Sequence, residues 1–507
     1  MTTQILSVTG APRAQELTWD AINWSRVNAN VSRLQMRIAQ AYRDGKPGRV
    51  KALQWLLTHS RSAKLLAVKR VTENRGAKTP GVDKIVWRTA EQKMKAVTSL
   101  TRRGYQPQPL RRIYIPKKQA IGEYRPLSIP AMHCRAQQAL HLLALEPVAE
   151  MMADKNAYGF RPKRSTADAI EQCAIVLSQK SAARYIFEGD IKSCFCAISH
   201  SWLLNNVPMD RAMLAKWLAA GFVENGELFP TYCGTPQGGI ISPSLLTITL
   251  AGLEAAIKAV TKRQDKVHLC TYADDFVITG ATLEVLEKTV RPVVEYFLAE
   301  RGLALSQTKT RITPIEEGFD FLGVNIRKYK GKLLCKPAKL NLAAFLRDIR
   351  HTIKSNATAK TENLIRQLNP KIRGWANYHC HNSSKRTFSK ANHYIFKSLW
   401  RWACRRHSQK GSGWIRRKYF RSKGHQHWVF FATTKDSQGK KTYLDLVEIS
   451  KTPIRRHIKI RAAATPYDPE YQEYFDKRQK LRKENRLFRA CKSSWSPWWE
   501  IQSTNDE

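Results

Sequence analysis

The sequence predicts an α+β protein that ends in a cationic helical region. Three observations carry that reading. From Ile113 to Gly280 short apolar strands alternate with helical stretches. After about residue 335 three helical segments follow one another. Lys and Arg outnumber Asp and Glu by 86 to 41, a net charge of +45.

Taken in chain order, residues 1–16 read as a loose leader. Trp19 to Val71 reads as helix, because Val31, Leu34 and Ile38, then Val50, Leu53 and Leu57, recur at spacings of three and four. Ala183–Gly189 is mostly extended and runs into Asp190. Val267–Thr271 and Phe276–Thr279 form two more strands, joined by a tight turn that carries Tyr272-Ala273-Asp274-Asp275. Beyond residue 335, Phe345, Ile349 and Ile353 share one helical face. Asn369 and Pro370 read as N-cap and first residue of a helix bearing Ile372, Trp375 and Tyr378. Ile395, Leu399 and Trp402 mark a third helix. His427–Thr434 and Lys441–Ile449 flank a polar turn and predict a β-hairpin.

Composition narrows the function. With 43% hydrophobic and 9% aromatic residues among 507, the chain can bury a core and is no disordered basic tail. Its ten Cys include no CxxC pair, which argues against a disulfide scaffold or zinc knuckle and fits a reducing cytosol. The first fifteen residues lack a signal-peptide pattern, and no run of about 18 apolar residues is expected to cross a membrane. So large a cationic excess calls for a polyanion, nucleic acid before a membrane surface. Residues 341–460 alone hold 27 Lys and Arg against five Asp and Glu.

The acids point to chemistry. Adjacent Asp274 and Asp275 in an apolar hairpin are costly unless a cation compensates them. Asp190 ends another strand. Three carboxylates converging from two strands suit a pair of Mg²⁺ ions, which take hard oxygen ligands and share their sphere with phosphates. Two such ions serve nucleotidyl transfer.

In order, the chain carries Ile115-Pro116-Lys117, Arg125-Pro126-Leu127, Tyr158-Gly159-Phe160-Arg161-Pro162, Glu188-Gly189-Asp190, Gly234-Thr235-Pro236-Gln237-Gly238-Gly239, the acidic turn, Phe319-Asp320-Phe321-Leu322-Gly323 and Gly374-Trp375-Ala376-Asn377-Tyr378-His379. With this series, from about Trp19 to Tyr474, the chain resembles the reverse transcriptases, or maturases, encoded by bacterial group II introns. The resemblance implies a right-hand polymerase with a helical thumb: an N-terminal extension and start of fingers over 1–100, fingers and palm over 101–335, a thumb or maturase domain over 336–460, and a short basic tail over 461–507 without an endonuclease.

The resemblance also implies roles. Asp190, Asp274 and Asp275 are the catalytic residues and ligands of two Mg²⁺ ions. Lys117 and Arg125 clamp a deoxynucleoside triphosphate, Phe195 rejects a ribose 2′-hydroxyl, Gln237 and Gly238 shape the floor of the site, and Lys309 approaches the leaving phosphate. Arg161, Arg405, Arg406, Arg416, Arg417 and Lys418 contact RNA. The implied partners are a group II intron RNA, target DNA and dNTPs, with no membrane; the implied location is the bacterial cytoplasm, nucleoid-associated when DNA is engaged. The chain departs from the family at Cys196, where an Asp is usual. The expected function is RNA-directed DNA synthesis joined to intron splicing and mobility. The alternatives are a splicing-only maturase whose polymerase has decayed, and a reverse transcriptase domesticated for defence or repair. An RNA-dependent RNA polymerase is disfavoured by Phe195.

Overall fold

The computed structural model describes residues 18–116, 122 and 124–487. The expected leader and Lys117 lie outside these residues. The chain divides into two compact units: one formed by residues 1–105, 131–151 and 463–507, the other by 106–130 and 152–462.

The first unit is helical. Asn23 opens the helix Trp24–Arg43 by accepting the Arg26 N–H at 3.0 Å. Ser60 caps Arg61–Thr72, and Thr89 and Gln92 form a capping box at the start of Ala90–Ser99. Val31, Ile38, Val50, Leu53 and Leu57 are buried as their spacing predicts, and Leu34 is half-buried. The C-terminal segment completes this unit. Arg43 Nη2 meets Asp468 Oδ2 at 2.6 Å, and the Tyr467 hydroxyl donates to Glu146 Oε2 at 2.5 Å.

Among the described residues, all the strands lie in the second unit. In chain order they are β1 (Leu110–Pro116), β2 (Tyr124–Ile129), β3 (Tyr185–Asp190), β4 (Phe222–Glu224), β5 (Glu227–Phe229), β6 (His268–Tyr272), β7 (Asp275–Gly280), β8 (Arg311–Pro314), β9 (Phe319–Phe321), β10 (Val324–Tyr329), β11 (Lys332–Pro337), β12 (Phe420–Lys423), β13 (Gln426–Lys435) and β14 (Lys441–Asp445). They form four sheets, ordered β2-β1-β4-β5, β6-β7-β3-β8, β11-β10-β9 and β12-β13-β14. The β6–β7 hairpin falls where the sequence predicts it. The predicted hairpin near the C-terminus also forms, with its second strand ending at Asp445.

The α+β expectation therefore holds, and the thumb region is helical. Lys339–Ser355, Thr361–His379 and Lys385–Arg406 pack Phe345, Ile349, Ile353, Leu368, Ile372, Phe388, Ile395 and Trp402 into one core. One boundary is corrected. Asn369 and Pro370 lie inside the helix Thr361–His379 rather than at its start. The Asn369 side chain instead donates to the Asp445 carbonyl at 3.0 Å and accepts the Val447 N–H at 2.8 Å. These bonds to the segment after β14 hold the helix across a proline that would otherwise break it.

The stretch Ser242–Val260 is long and apolar enough to cross a bilayer. It is, however, two helices, Ser242–Leu250 and Leu253–Val260, interrupted at Gly252 with φ +93°. Leu245, Leu246, Ile248, Leu253 and Ile257 are buried in the protein itself.

Residues 457–460 are fastened to the helix Thr166–Leu177 through one carboxylate. Asp168 is fully buried and accepts from His457 Nε2 and the Ile460 N–H, both at 2.8 Å, and from Ser165 Oγ at 2.6 Å. Burial alone would raise this carboxyl, but the bonds from His457, Ser165 and Ile460 outweigh it and hold it well below its ordinary 3.8. A depressed folded value adds stability at pH above about 4 that is lost as pH falls below it. Asp168→Ala is expected to cost about 3–5 kcal/mol at pH 7. In urea unfolding, its difference from wild type should narrow steadily below pH 4.

Candidate active site

The pairing of β3 with β7 builds the site. Their antiparallel register sets Asp190 opposite Asp275, and the register of β6 with β7 sets Tyr272 opposite Asp275. Ala273 and Asp274 are then the two central residues of a tight turn. Ala273 has φ +59°, a left-handed conformation usually left to glycine. Asp190 and Asp274 both push the buried Cys194 thiol upward after burial itself, so the two acids share one neighbourhood.

Two glycines permit this geometry. A Cβ on Gly189 would meet the Phe276 ring at 2.1 Å, so only glycine lets β3 run under that ring to deliver Asp190. A Cβ on Gly159 would meet the Ala273 nitrogen at 2.1 Å, so the Tyr158-Gly159-Phe160 segment lies directly against the acidic turn. That segment is tied down by Tyr158 N–H to Thr271 O at 2.9 Å and Thr271 N–H to Asn156 O at 3.1 Å.

Lys309 is brought to the same place. Ser306 N–H donates to the Asp190 carbonyl at 2.8 Å, and Lys309 Nζ lies 3.2 Å from Asp190 Oδ2. The Asp275 carboxyl is raised to about 6, first by loss of surrounding water, then by the Asp274 and Asp190 charges, with Lys309 pulling the other way. Behind Asp190, Glu188 receives Arg311 through two bonds of 2.8 and 3.0 Å and Thr313 Oγ1 at 3.0 Å, which fixes β3 against β8. Sequence reading missed the Glu188–Arg311 brace and the place of Gly159; both sit inside or beside motifs it singled out.

Could these acids hold magnesium? Among the described residues no three His, Cys, Asp or Glu side chains close into a preformed metal cage. The donor set nevertheless suits Mg²⁺. It offers hard carboxylate oxygens whose mutual repulsion, visible at Asp275, favours a cation, and this ion commonly takes one or two carboxylates plus water and substrate phosphates.

The other expected residues divide. Phe195, half-buried in the turn Cys194–Ala197, meets Phe160 edge-on at 6.1 Å, and its carbonyl accepts Thr235 N–H at 2.6 Å. Gly234 N–H donates to Ile198 O at 2.7 Å, so the Phe195 turn and the start of the Gly234–Gly239 segment are bonded to each other. Gly238, at φ +111°, sits where a Cβ would press the Ser128 carbonyl at 2.7 Å, and Gln237 O accepts Ser128 N–H at 2.7 Å. Gln237 Oε1, Thr235 Oγ1 and Arg112 Nε are buried without a partner among the described residues, and all three residues line a cavity of about 160 Å³. Cys196 lines it too and feels the Arg112 charge. A carboxylate at position 196 would give Arg112 an acceptor that the thiol does not. Arg125, opposite Ile115 on the β1–β2 hairpin, is exposed.

Two residues expected to contact RNA also bond to their own fold. Arg161 is buried and donates to the Asp154 and Ala157 carbonyls at 2.6 and 2.8 Å, so it braces the loop beside the acidic turn. Arg406 donates to the Ala359 and Thr358 carbonyls at 2.5 and 3.2 Å and caps that loop. Arg405 and Arg417 are exposed, Arg416 stacks on Trp428 and Lys418 lies over Trp414.

A hairpin turn bearing paired acids, facing a third acid across a palm-type sheet, defines the class of template-directed nucleotidyl transferases. Comparison with known proteins narrows it. Residues 115–326 match the family Reverse transcriptase (RNA-dependent DNA polymerase), 19–100 the N-terminal domain of reverse transcriptase, and 342–420 the Group II intron, maturase-specific domain. Protein YkfC of Escherichia coli is 31% identical over 339 residues, covering 58% of this chain and 87% of YkfC. The group II intron-encoded protein LtrA of Lactococcus lactis is 34% identical over 209 residues, covering 40% of this chain and 34% of LtrA. The solved telomerase of Candida albicans is 10% identical, covers 61% of this chain and 64% of that one, and has a TM-score of 0.36. The chain belongs to the reverse transcriptases of group II introns that carry a maturase domain, and is by family an RNA-directed DNA polymerase.

The Gly159–Ala273 approach is testable. Gly159→Ala is expected to lower primer extension on an RNA template by about a hundredfold or more, because the added Cβ would lie 2.1 Å from the Ala273 backbone nitrogen and push the acidic turn out of place. Ala273→Gly should retain extension and raise thermal stability by about 1 kcal/mol, since it removes the left-handed strain. Equal activity of Gly159→Ala and wild type would detach this segment from the site.

Proposed function

We propose that the protein copies RNA into DNA from dNTPs at Asp190, Asp274 and Asp275, and that its maturase region binds a group II intron RNA and promotes splicing and mobility. The observation that supports this most is the register that sets Asp190 against Asp275 at the mouth of the acidic turn. Asp190 and Asp274 would hold two Mg²⁺ ions, with Asp275 beside them. Bound there, the ions supply charge stabilisation to the attacking 3′-hydroxyl and the departing pyrophosphate.

The chain's own groups bind and orient. Arg125, with Lys117, neutralises the triphosphate; a guanidinium fork suits its oxygens. Phe195, held through Thr235, excludes the 2′-hydroxyl of a ribonucleotide. Gln237 and Gly238 shape the floor, where glycine lets backbone approach the nucleotide. Lys309, whose Nζ lies 3.2 Å from Asp190 Oδ2, would supply a positive charge to the leaving phosphate. The exposed cations Arg405, Arg416, Arg417 and Lys418 meet RNA phosphates, target DNA enters during mobility, and the setting is the bacterial cytoplasm.

Asp274→Ala is expected to bring extension on a primed RNA template below detection while RNA affinity stays within about twofold. Loss of both would assign Asp274 a folding role, and wild-type protein that binds RNA but extends nothing would favour the splicing-only reading. Replacing Arg405, Arg417 and Lys418 by Gln should weaken RNA binding and flatten the slope of log affinity against log salt by roughly 0.7–0.9 per lost phosphate contact. An unchanged slope would make them a merely solvated face.

A further inference from the structure

The maturase region contains a cleft of about 850 Å³ that the polymerase chemistry does not use. One wall is a stripe of the helix Lys385–Arg406: Ser389, Asn392, His393, Phe396 and Trp400 recur at three- and four-residue spacing. The other wall is the start of β13 and the segment 446–450. Such a volume lies within the range of ligand sites, roughly 300–1,000 Å³.

The lining has a distinct chemistry. Phe396, Trp400, Phe420 and Trp428 form a cluster in which every pair of ring centroids lies 5.6–6.5 Å apart. Trp428 is 40% exposed and has φ +66°, a backbone state rare for so bulky a residue. Strain of this kind persists where surrounding structure enforces it, and it clusters at ligand sites. The Arg416 guanidinium stacks over the same ring at 4.6 Å. Asn392 and His393 make no side-chain hydrogen bond among the described residues, whereas the Glu448 carboxylate is occupied by Gln426 and Ser450. Next to Arg416 in sequence, Arg417 and Lys418 are exposed.

We propose that this cleft takes an unstacked base of single-stranded RNA. Aromatic faces offer stacking to any base, a free amide and imidazole can meet a base edge, and the adjoining cations suit the phosphates on either side. That cationic surround favours a nucleic-acid strand over an apolar peptide. The inference rests on the reading that the maturase region binds RNA, and adds a site that recognises a base rather than the backbone.

The test uses the full chain and a short single-stranded RNA carrying one 2-aminopurine, with the same sequence as an RNA duplex and as single-stranded DNA. Wild type should quench the 2-aminopurine saturably. Trp428→Gly removes the ring while suiting the left-handed backbone, which offsets part of the lost packing, and duplex affinity serves as the control for folding. This variant should weaken single-stranded RNA binding by about tenfold and leave duplex affinity and its salt slope unchanged. His393→Ala should weaken the same binding to a smaller degree. Unchanged binding by both variants, an equal loss on single strand and duplex, or tighter binding of the DNA strand would each overturn the proposal. Wild type that fails to bind even the duplex would instead sink the RNA-binding reading beneath it.

Discussion

The proposed catalytic centre depends on one strand register. Pairing of β3 with β7 places Asp190 across from Asp275, and a slip of a single residue would turn the acid to the opposite face of the sheet. The register is secured from several sides. Phe276 closes over Gly189, Arg311 grips Glu188 behind the strand, and the 305–309 loop is bonded to the Asp190 carbonyl. These restraints keep three like charges close in a protein that otherwise has a large excess of the opposite sign.

Much of this was legible before any coordinates. An extended run before Tyr272 and an apolar run after Asp275 foretold a hairpin with acids at or near its tip, and an unbroken apolar run is what a strand buried along its length presents, as β7 is from Phe276 to Gly280. The helical spacing of Val50, Leu53 and Leu57 was equally plain. What failed was local chemistry overruled by distant partners. Asn369-Pro370 reads as a helix start, yet Asp445 and Val447 recruit the Asn side chain into a continuing helix. Arg161 and Arg406 read as cations for RNA, and each also donates to backbone carbonyls of its own fold, a role that no sequence pattern displays. Cationic sequence clusters show how much positive charge exists and not which groups are spoken for.

The maturase region shows the same division of labour on a larger scale. Its apolar stripes bury a helical core, while its basic residues split between caps such as Arg406, rings such as Trp428 under Arg416, and open surface such as Arg405. The basic charge of this region is therefore set partly among aromatic faces and is not a uniform cationic coat.

The helical unit built from both ends of the chain has a consequence for biosynthesis. Arg43 and Glu146 find Asp468 and Tyr467 only after the whole intervening polypeptide has emerged. At about 5–20 residues per second, the first helix waits on the order of 20–85 s on the ribosome for its last neighbours. During that interval the nascent chain exposes apolar surface that the finished protein hides.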